Sequence, residues 1–146
     1  MADFLHAMQI AASGLTAQRT RMEAIASNLA NAETTRTAAG GPYVRKRVVL
    51  EAAPSPTSFE QLLSGAESQE LPAVSVRAVE PDPRPPRLVY DPGHPDANPD
   101  GFVAMPNVNT LEEMTDMMTA MRTYEANVKA VQATKHMARA ALEIGK

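Results

Sequence analysis

The chain contains no cysteine and no tryptophan. The first absence removes disulfides, Cys-ligated zinc and thiol nucleophiles from consideration. Three Phe and three Tyr are meagre material for the core of an independent globule. No run approaches the roughly 18 apolar residues of a membrane-spanning helix, and Met1-Ala2-Asp3-Phe4-Leu5-His6 lacks the basic, apolar and small-residue regions of a signal peptide. No charge of either sign dominates, and the net charge is −3. The only basic run, Arg45-Lys46-Arg47, is too short for a nucleic-acid footprint and has only Tyr43 as an aromatic companion. Neither nucleic acid nor direct membrane insertion is expected.

Constellations for chemistry are equally scarce. His6, His94 and His136 lie in three separate segments, and none stands at helical ligand spacing from another. Asp96-Ala97-Asn98-Pro99-Asp100-Gly101 matches the first half of a calcium loop, but the position of the bidentate Glu falls on Asn107. A turn built from Gly, Asp, Asn and Pro accounts for that segment better. Nothing resembles a nucleophile elbow, a catalytic carboxylate pair or a phosphate loop. The expectation is a non-enzyme without metal or cofactor.

What the chain does have lies at its ends. Phe4, Met8, Ala11, Leu15, Gln18, Met22, Ile25 and Leu29 are spaced alternately by four and three residues. Met114, Met117, Met121, Tyr124, Val128, Val131, Lys135, Ala138 and Leu142 repeat that alternation. This is the a/d seam of a coiled coil, with one polar intruder in each stripe, Gln18 and Lys135. Periodicity alone also fits two amphipathic helices in an ordinary bundle. Nine Met supply adaptable apolar surface, suited either to irregular core gaps or to several different neighbours.

A helix is expected over residues 3–31, with Asp3 at its start and Asn28 and Asn31 at its end. Gly14 weakens an exposed helix by roughly 1 kcal/mol relative to Ala, but admits a close neighbour in a tight bundle. Gly40-Gly41-Pro42 reads as a turn and Tyr43–Leu50 as a strand. Residues 51–72 read as a loop, of which 53–70 should tolerate shortening, with one possible helical turn at 59–63. Residues 73–80 form a second strand that should stop at Pro81, ahead of a polyproline-II run through Pro86. Leu88–Tyr90 and Phe102–Met105 are short strands around a turn-rich loop. From Asn109 a helix runs to Ile144, capped by Asn109 or Thr110 with Glu112 and Glu113 in its first turn.

These segments carry a resemblance. Ser13-Gly14-Leu15-Thr16-Ala17-Gln18, Arg21-Met22 and Ala26-Ser27-Asn28-Leu29-Ala30-Asn31-Ala32 resemble the N-terminal signature of flagellar rod and hook proteins. The segments Gly41-Pro42-Tyr43 and Val48-Val49, and the run Val89-Tyr90-Asp91-Pro92-Gly93-His94-Pro95-Asp96-Ala97-Asn98, look like the C-type proximal-rod branch of that family. So do Gly101-Phe102-Val103, Pro106-Asn107-Val108-Asn109 and Tyr124-Glu125-Ala126-Asn127. Only residues 51–72 fall outside the likeness. The resemblance implies a structural subunit of the proximal rod that passes motor torque outward. It implies export through the flagellar type III apparatus into the cell envelope without a cleaved signal peptide. The implied partners are copies of itself, the B-type proximal-rod protein, distal-rod proteins, the rod-base adaptor and the export gate. The rival is a secreted coiled-coil effector or an adhesin-like protein, which would not need both motif blocks.

The expected fold is therefore α+β: two long terminal helices paired as an antiparallel coiled coil, with a small strand-rich middle. Residues 1–35 and 108–146 would form the inner coiled-coil domain and 36–107 the outer region. If the strands sit at one end of both helices, Leu29 lies beside Met117 and Met8 beside Ala138, with Met22 near Tyr124 and Leu15 near Val131, give or take one helical turn. Assembly would bury the stripes against neighbours, at roughly 25 cal/mol per Å² of apolar surface. The isolated chain is expected to be only partly folded.

Overall fold

The computed structural model describes residues 2–53 and 73–144, with side chains for 6–53 and 73–143. The loop expected at 51–72 begins later than anticipated, because Glu51 and Ala52 are strand; the rest of it, including the helical turn at 59–63, lies outside the described residues. The elements are α1 (Ala2–Ala30), β1 (Lys46–Ala52), β2 (Val74–Pro81), β3 (Arg87–Tyr90), β4 (Phe102–Met105) and α2 (Thr110–Ile144). The architecture is α+β. Strands β1 and β2 form one antiparallel two-stranded sheet, and β3 and β4 another.

Each boundary has a local cause. Asn109 caps α2: its Oδ1 accepts from the Leu111 amide at 3.1 Å and the Glu112 amide at 3.5 Å. At the end of α1, Asn31 Nδ2 donates to the Ser27 carbonyl at 2.8 Å, reinforcing the 3.2 Å bond that the Asn31 backbone amide makes to the same oxygen. Gly40 and Gly41 take positive φ in the turn that follows. Strand β2 ends at Pro81, which has no amide to extend the ladder. Within β1–β2 the register slips between Val49 and Leu50, so Arg77 has no partner and β2 carries a bulge.

The helices run in opposite directions. Asn28 meets Glu113, Arg21 meets Asp116, and Gly14 lies against Asn127. The register differs from the one inferred by matching stripes. Leu15 opposite Val131 would put Gly14 opposite position 132, so the observed pairing is shifted by about one and a half turns toward the start of α2. The packed seam on α1 is also rotated by one residue, whereas on α2 the predicted Met117, Tyr124, Val131 and Ala138 are kept and the positions between them move back by one. On α1 it runs through Ile10, Gly14, Ala17, Arg21, Ala24 and Asn28; on α2 through Glu113, Met117, Ala120, Tyr124, Asn127, Val131, Thr134 and Ala138. Small side chains dominate its buried positions, with Ala17 and Ala120 essentially inaccessible. Met114, Met121 and Leu142, placed on the pairing stripe by sequence, are exposed, as is Lys135. Small residues allow closer backbone approach than Met or Leu, which is why the seam selects them and turns the large side chains outward.

The first hairpin does not sit at the end of the helix pair. It lies along α1: Lys46, at the start of β1, is bonded to Asn28, and the Val74 amide, at the start of β2, donates to Ser13 Oγ at 3.2 Å. Fifteen helical residues span about 22 Å, close to the length of a seven-residue strand at about 3.3 Å per residue. An isolated two-stranded hairpin is marginal in water, and α1 supplies its missing layer. The second hairpin is the part found beyond the helix junction. Its Val103 is buried, as are Ala32, Pro106 and Val108, and Asp96 in its loop bonds Thr35 at 2.8 Å and Arg36 at 3.7 Å.

Candidate assembly interface and the junction latch

Where α1 ends and α2 begins, four elements share one polar network. Asn28 is 1% exposed and uses its full hydrogen-bonding capacity. Its Nδ2 donates to the Lys46 carbonyl at 2.9 Å and to Glu113 Oε2 at 3.0 Å. Its Oδ1 accepts from the Lys46 amide at 2.8 Å and the Tyr43 hydroxyl at 3.0 Å. The side-chain amide thus pairs with Lys46 as a neighbouring strand would, joining helix to sheet. Ser27 Oγ lies 3.0 Å from the same Tyr43 hydroxyl.

Glu113, equally buried, receives Arg45 at 2.6 Å on its other oxygen. Arg45 also donates to Asp82 at 3.1 Å, and Asp82 takes Arg84 at 2.8 Å. The Arg84 guanidinium and backbone amide hold the Asp82 carboxyl well below the usual carboxylate range, against the opposing effect of burial. Burial works to lower the Arg45 pKa, but the hydrogen bonds and charges of Glu113 and Asp82 outweigh it and raise the value further. Buried charges are tolerated when paired and fully bonded, and this set meets both conditions.

Other residues singled out by sequence also meet. A Cβ built on Gly14 would stand 2.7 Å from Asn127 Nδ2, so the two motif residues form one close helix contact. Gly101 has φ +80°, and a Cβ there would lie 2.8 Å from the Tyr90 ring and 3.3 Å from Pro92. Tyr90 in turn stacks edge-on against Phe102 at 5.3 Å. Ser13 bridges α1 to β2, and Pro106 and Val108 are buried at the junction with half-buried Asn107 beside them. Leu15, Gln18, Met22 and Leu29 are half-buried and Ile25 is buried, so this stripe lies on a flank of α1 rather than in the helix seam; Ala30 is exposed. Met8, Ala11 and Val128 are half-buried as well, and the Phe4 side chain lies outside the described residues.

Sequence reasoning missed Arg45, Asp82 and Arg84, and took Glu113 only for a first-turn acid. A charged residue in a buried position leaves no periodic signal; an Arg and an Asp in strand-bounding positions were the sole hint.

The calcium-like loop uses its ligating groups internally. Asn98 Oδ1 accepts from the Asp100 and Phe102 amides, and Asp96 is taken by Thr35 and Arg36. His94 Nδ1 accepts from the Asp96 amide. Among the described residues no group of three His, Asp or Glu is placed to hold a metal ion. A groove of about 440 Å³ at the junction is lined by Ala32, Glu33, Arg87 and Pro106 through Thr110, without a paired nucleophile and base. No described helix is long and apolar enough to cross a membrane.

A latched pair of long helices with its large apolar side chains turned outward defines the class: a subunit built to be packed against others. Comparison with known proteins makes this specific. Residues 8–36 match the family described as flagella basal body rod protein, and residues 100–144 the C-terminal family of flagellar basal body rod FlgEFG proteins. The chain is 45% identical over 148 residues to the flagellar basal-body rod protein FlgC of Bacillus subtilis, covering 97% of both chains. It is 40% identical to that of Borreliella burgdorferi, covering 94% of both, and 37% identical to that of Salmonella typhimurium, covering 97% of both. The chain belongs to the FlgC family of flagellar basal-body rod proteins. It is a structural subunit of the bacterial flagellar basal body and not an enzyme, and the relatives lend nothing to the effector or adhesin reading.

Proposed function

We propose that this chain is a proximal-rod subunit that stacks helically with copies of itself and with other rod proteins, the B-type proximal-rod and distal-rod proteins among them, and transmits motor torque through the stack. In this reading the helix pair supercoils as an antiparallel coiled coil, and residues 36–107 face outward. The base of the stack meets the rod-base adaptor and the export gate. The chain reaches the periplasm by export without a cleaved signal peptide.

The observation that supports this reading best is the division of α2 into two faces. One face is closed against α1, while Leu111, Met114, Met118 and Met121 are left in solvent on the other. Torque transmission needs contacts that resist shear between subunits and a subunit that does not deform. The exposed stripe offers the first, and the charged latch between helices and hairpin the second.

Met121→Asp tests the reading. Met121 is half exposed in the single chain, so the variant should lose less than about 0.5 kcal/mol of intrinsic stability, as surface changes do. In a rod the same carboxylate would be buried without a partner, at a cost of several kcal/mol. The expected result is an unchanged melting temperature, no hook and no swimming in a complemented deletion strain. Normal swimming with this substitution would sink the proposal.

A further inference from the structure

We infer, independently of the rod-subunit reading, that the Arg45–Glu113 ion pair is an interlock: the β1–β2 hairpin and the first turns of α2 seat on α1 together and come away together, so that a contact made at either is felt at the other. The two elements have separate footings on α1. The hairpin is held by Asn28 against Lys46 at one end and by Ser13 Oγ against the Val74 amide at the other. Helix α2 is held by Asp116 against Arg21, by Asn127 against Gly14 and by the seam around Ala17 and Ala120. Among the described residues no backbone hydrogen bond joins the hairpin to α2. Arg45 to Glu113, at 2.6 Å, is the one side-chain bond between them there.

The hairpin itself positions the cation. The Arg45 carbonyl accepts the Asp82 amide at 2.7 Å, one step beyond the Lys46–Pro81 pair, so the backbone ladder fixes Arg45 at the root of the hairpin. Its guanidinium reaches Asp82 at 3.1 Å, and Arg84 shares that carboxylate at 2.8 Å. On the other side, Glu113 is positioned by the seam, with Asn28 donating to its Oε2 at 3.0 Å. Asn28 also bonds the Lys46 backbone, which closes a ring through α1, the hairpin root and α2.

Charge makes the half-open states costly. With everything seated, the guanidiniums of Arg45 and Arg84 face the carboxylates of Asp82 and Glu113, and the balance is even. Lifting α2 leaves two mutually repelling guanidiniums on Asp82 alone. Lifting the hairpin takes the cation from Glu113 and both Lys46 bonds from Asn28. Truncating a buried pair leaves the remaining charge uncompensated, and the side chains of Arg45 and Glu113 are only 14% and 1% exposed. Residues in one ion-pair network couple energetically, and the coupling is equal in both directions. Two elements with separate footings thereby become one cooperative unit.

Hydrogen exchange on the full-length chain provides the test, with a disturbance placed in α2 and read in the hairpin. Ala120 is fully buried in the helix seam, and Ala120→Gly loosens α2 by roughly fivefold in its opening equilibrium. With the native ion pair, the β1–β2 ladder amides should also exchange about fivefold faster, in step with the amides of residues 114–120. The comparison chain carries Arg45→Met and Glu113→Gln, which removes both charges and keeps an acceptor for Asn28. In it Ala120→Gly should speed residues 114–120 alone, leaving the ladder within about twofold of its former rate. Equal acceleration of the ladder in both chains means that the disturbance travels through α1, and overturns the proposal. So does a ladder unmoved in either. Should a chain exchange freely, the comparison is made in molar trimethylamine N-oxide, which strengthens burial. Free exchange of the native-pair chain even there overturns the proposal, because the ring then closes nothing. Loss of protection in both elements of the neutral-pair chain overturns it too, since neither would then have a footing of its own.

Discussion

Single residues decide the junction. Arg45 is the cation between two buried carboxylates, and Arg45→Met leaves Glu113 charged and unpaired on that side. Removing one partner of a buried pair costs about 3–5 kcal/mol. Glu113→Gln in the same chain should recover part of that loss, since a neutral amide still serves Asn28; urea unfolding of the two variants checks the order. Asp82 supplies a pH dependence. Its folded pKa is depressed below the unfolded value near 4. Its stabilising contribution is therefore complete above about pH 4 and declines as the pH falls through and below that value. Thermal melts from pH 7 to pH 3 should slope downward in acid, and Asp82→Asn should flatten that slope while lowering stability at pH 7. Asn28 was legible as a residue of interest because helix-ending Asn is an ordinary punctuation signal. Its partners were not, since Lys46 contributes only backbone and Glu113 stands 85 residues away.

At the level of elements, the helices and four strands could be read from the chain, most to within three residues. Asn109, the Gly40-Gly41-Pro42 turn and Pro81 are local signals, and local signals set boundaries. The pairing of the helices could be read only in direction. Ranking positions by apolarity selected Met114, Met121 and Leu142, whereas close packing selected Ala17, Ala24, Ala120 and Gly14. Matching the largest side chains thus gave a register shifted from the one that small side chains and the Asn28–Glu113 bond impose. Gly14 makes this testable. Gly14→Ala gains about 1 kcal/mol of helix propensity but forces the Asn127 amide aside, so the single variant should be close to neutral. With Asn127→Ala the clash disappears, and the pair should melt higher than Asn127→Ala alone. A double variant that is less stable than Asn127→Ala would show that the helix backbones, not that side chain, need the space.

For the whole molecule, the hairpin along α1 was the feature least visible beforehand. Strand patterns say which residues alternate but not which surface the strands cover, and Ser13, the residue that locates β2 on α1, reads in isolation as an ordinary helix residue. Its placement brings the Ala53 amide to the Ala73 carbonyl at 2.6 Å. The chain between them therefore leaves and re-enters the fold at one point, already clasped. Lengthening a closed loop costs only about 0.6 kcal/mol per doubling, so a short peptide tag inserted between residues 60 and 65 should leave the melting temperature within about 3 °C, comparable with a loss well under 1 kcal/mol. Swimming of the tagged strain would then show whether that point faces open space in the finished rod. For the experimenter, the clasp amounts to a socket: a place where an epitope or fluorophore can be plugged into a subunit of the flagellar basal-body rod, so that its turning could be followed there.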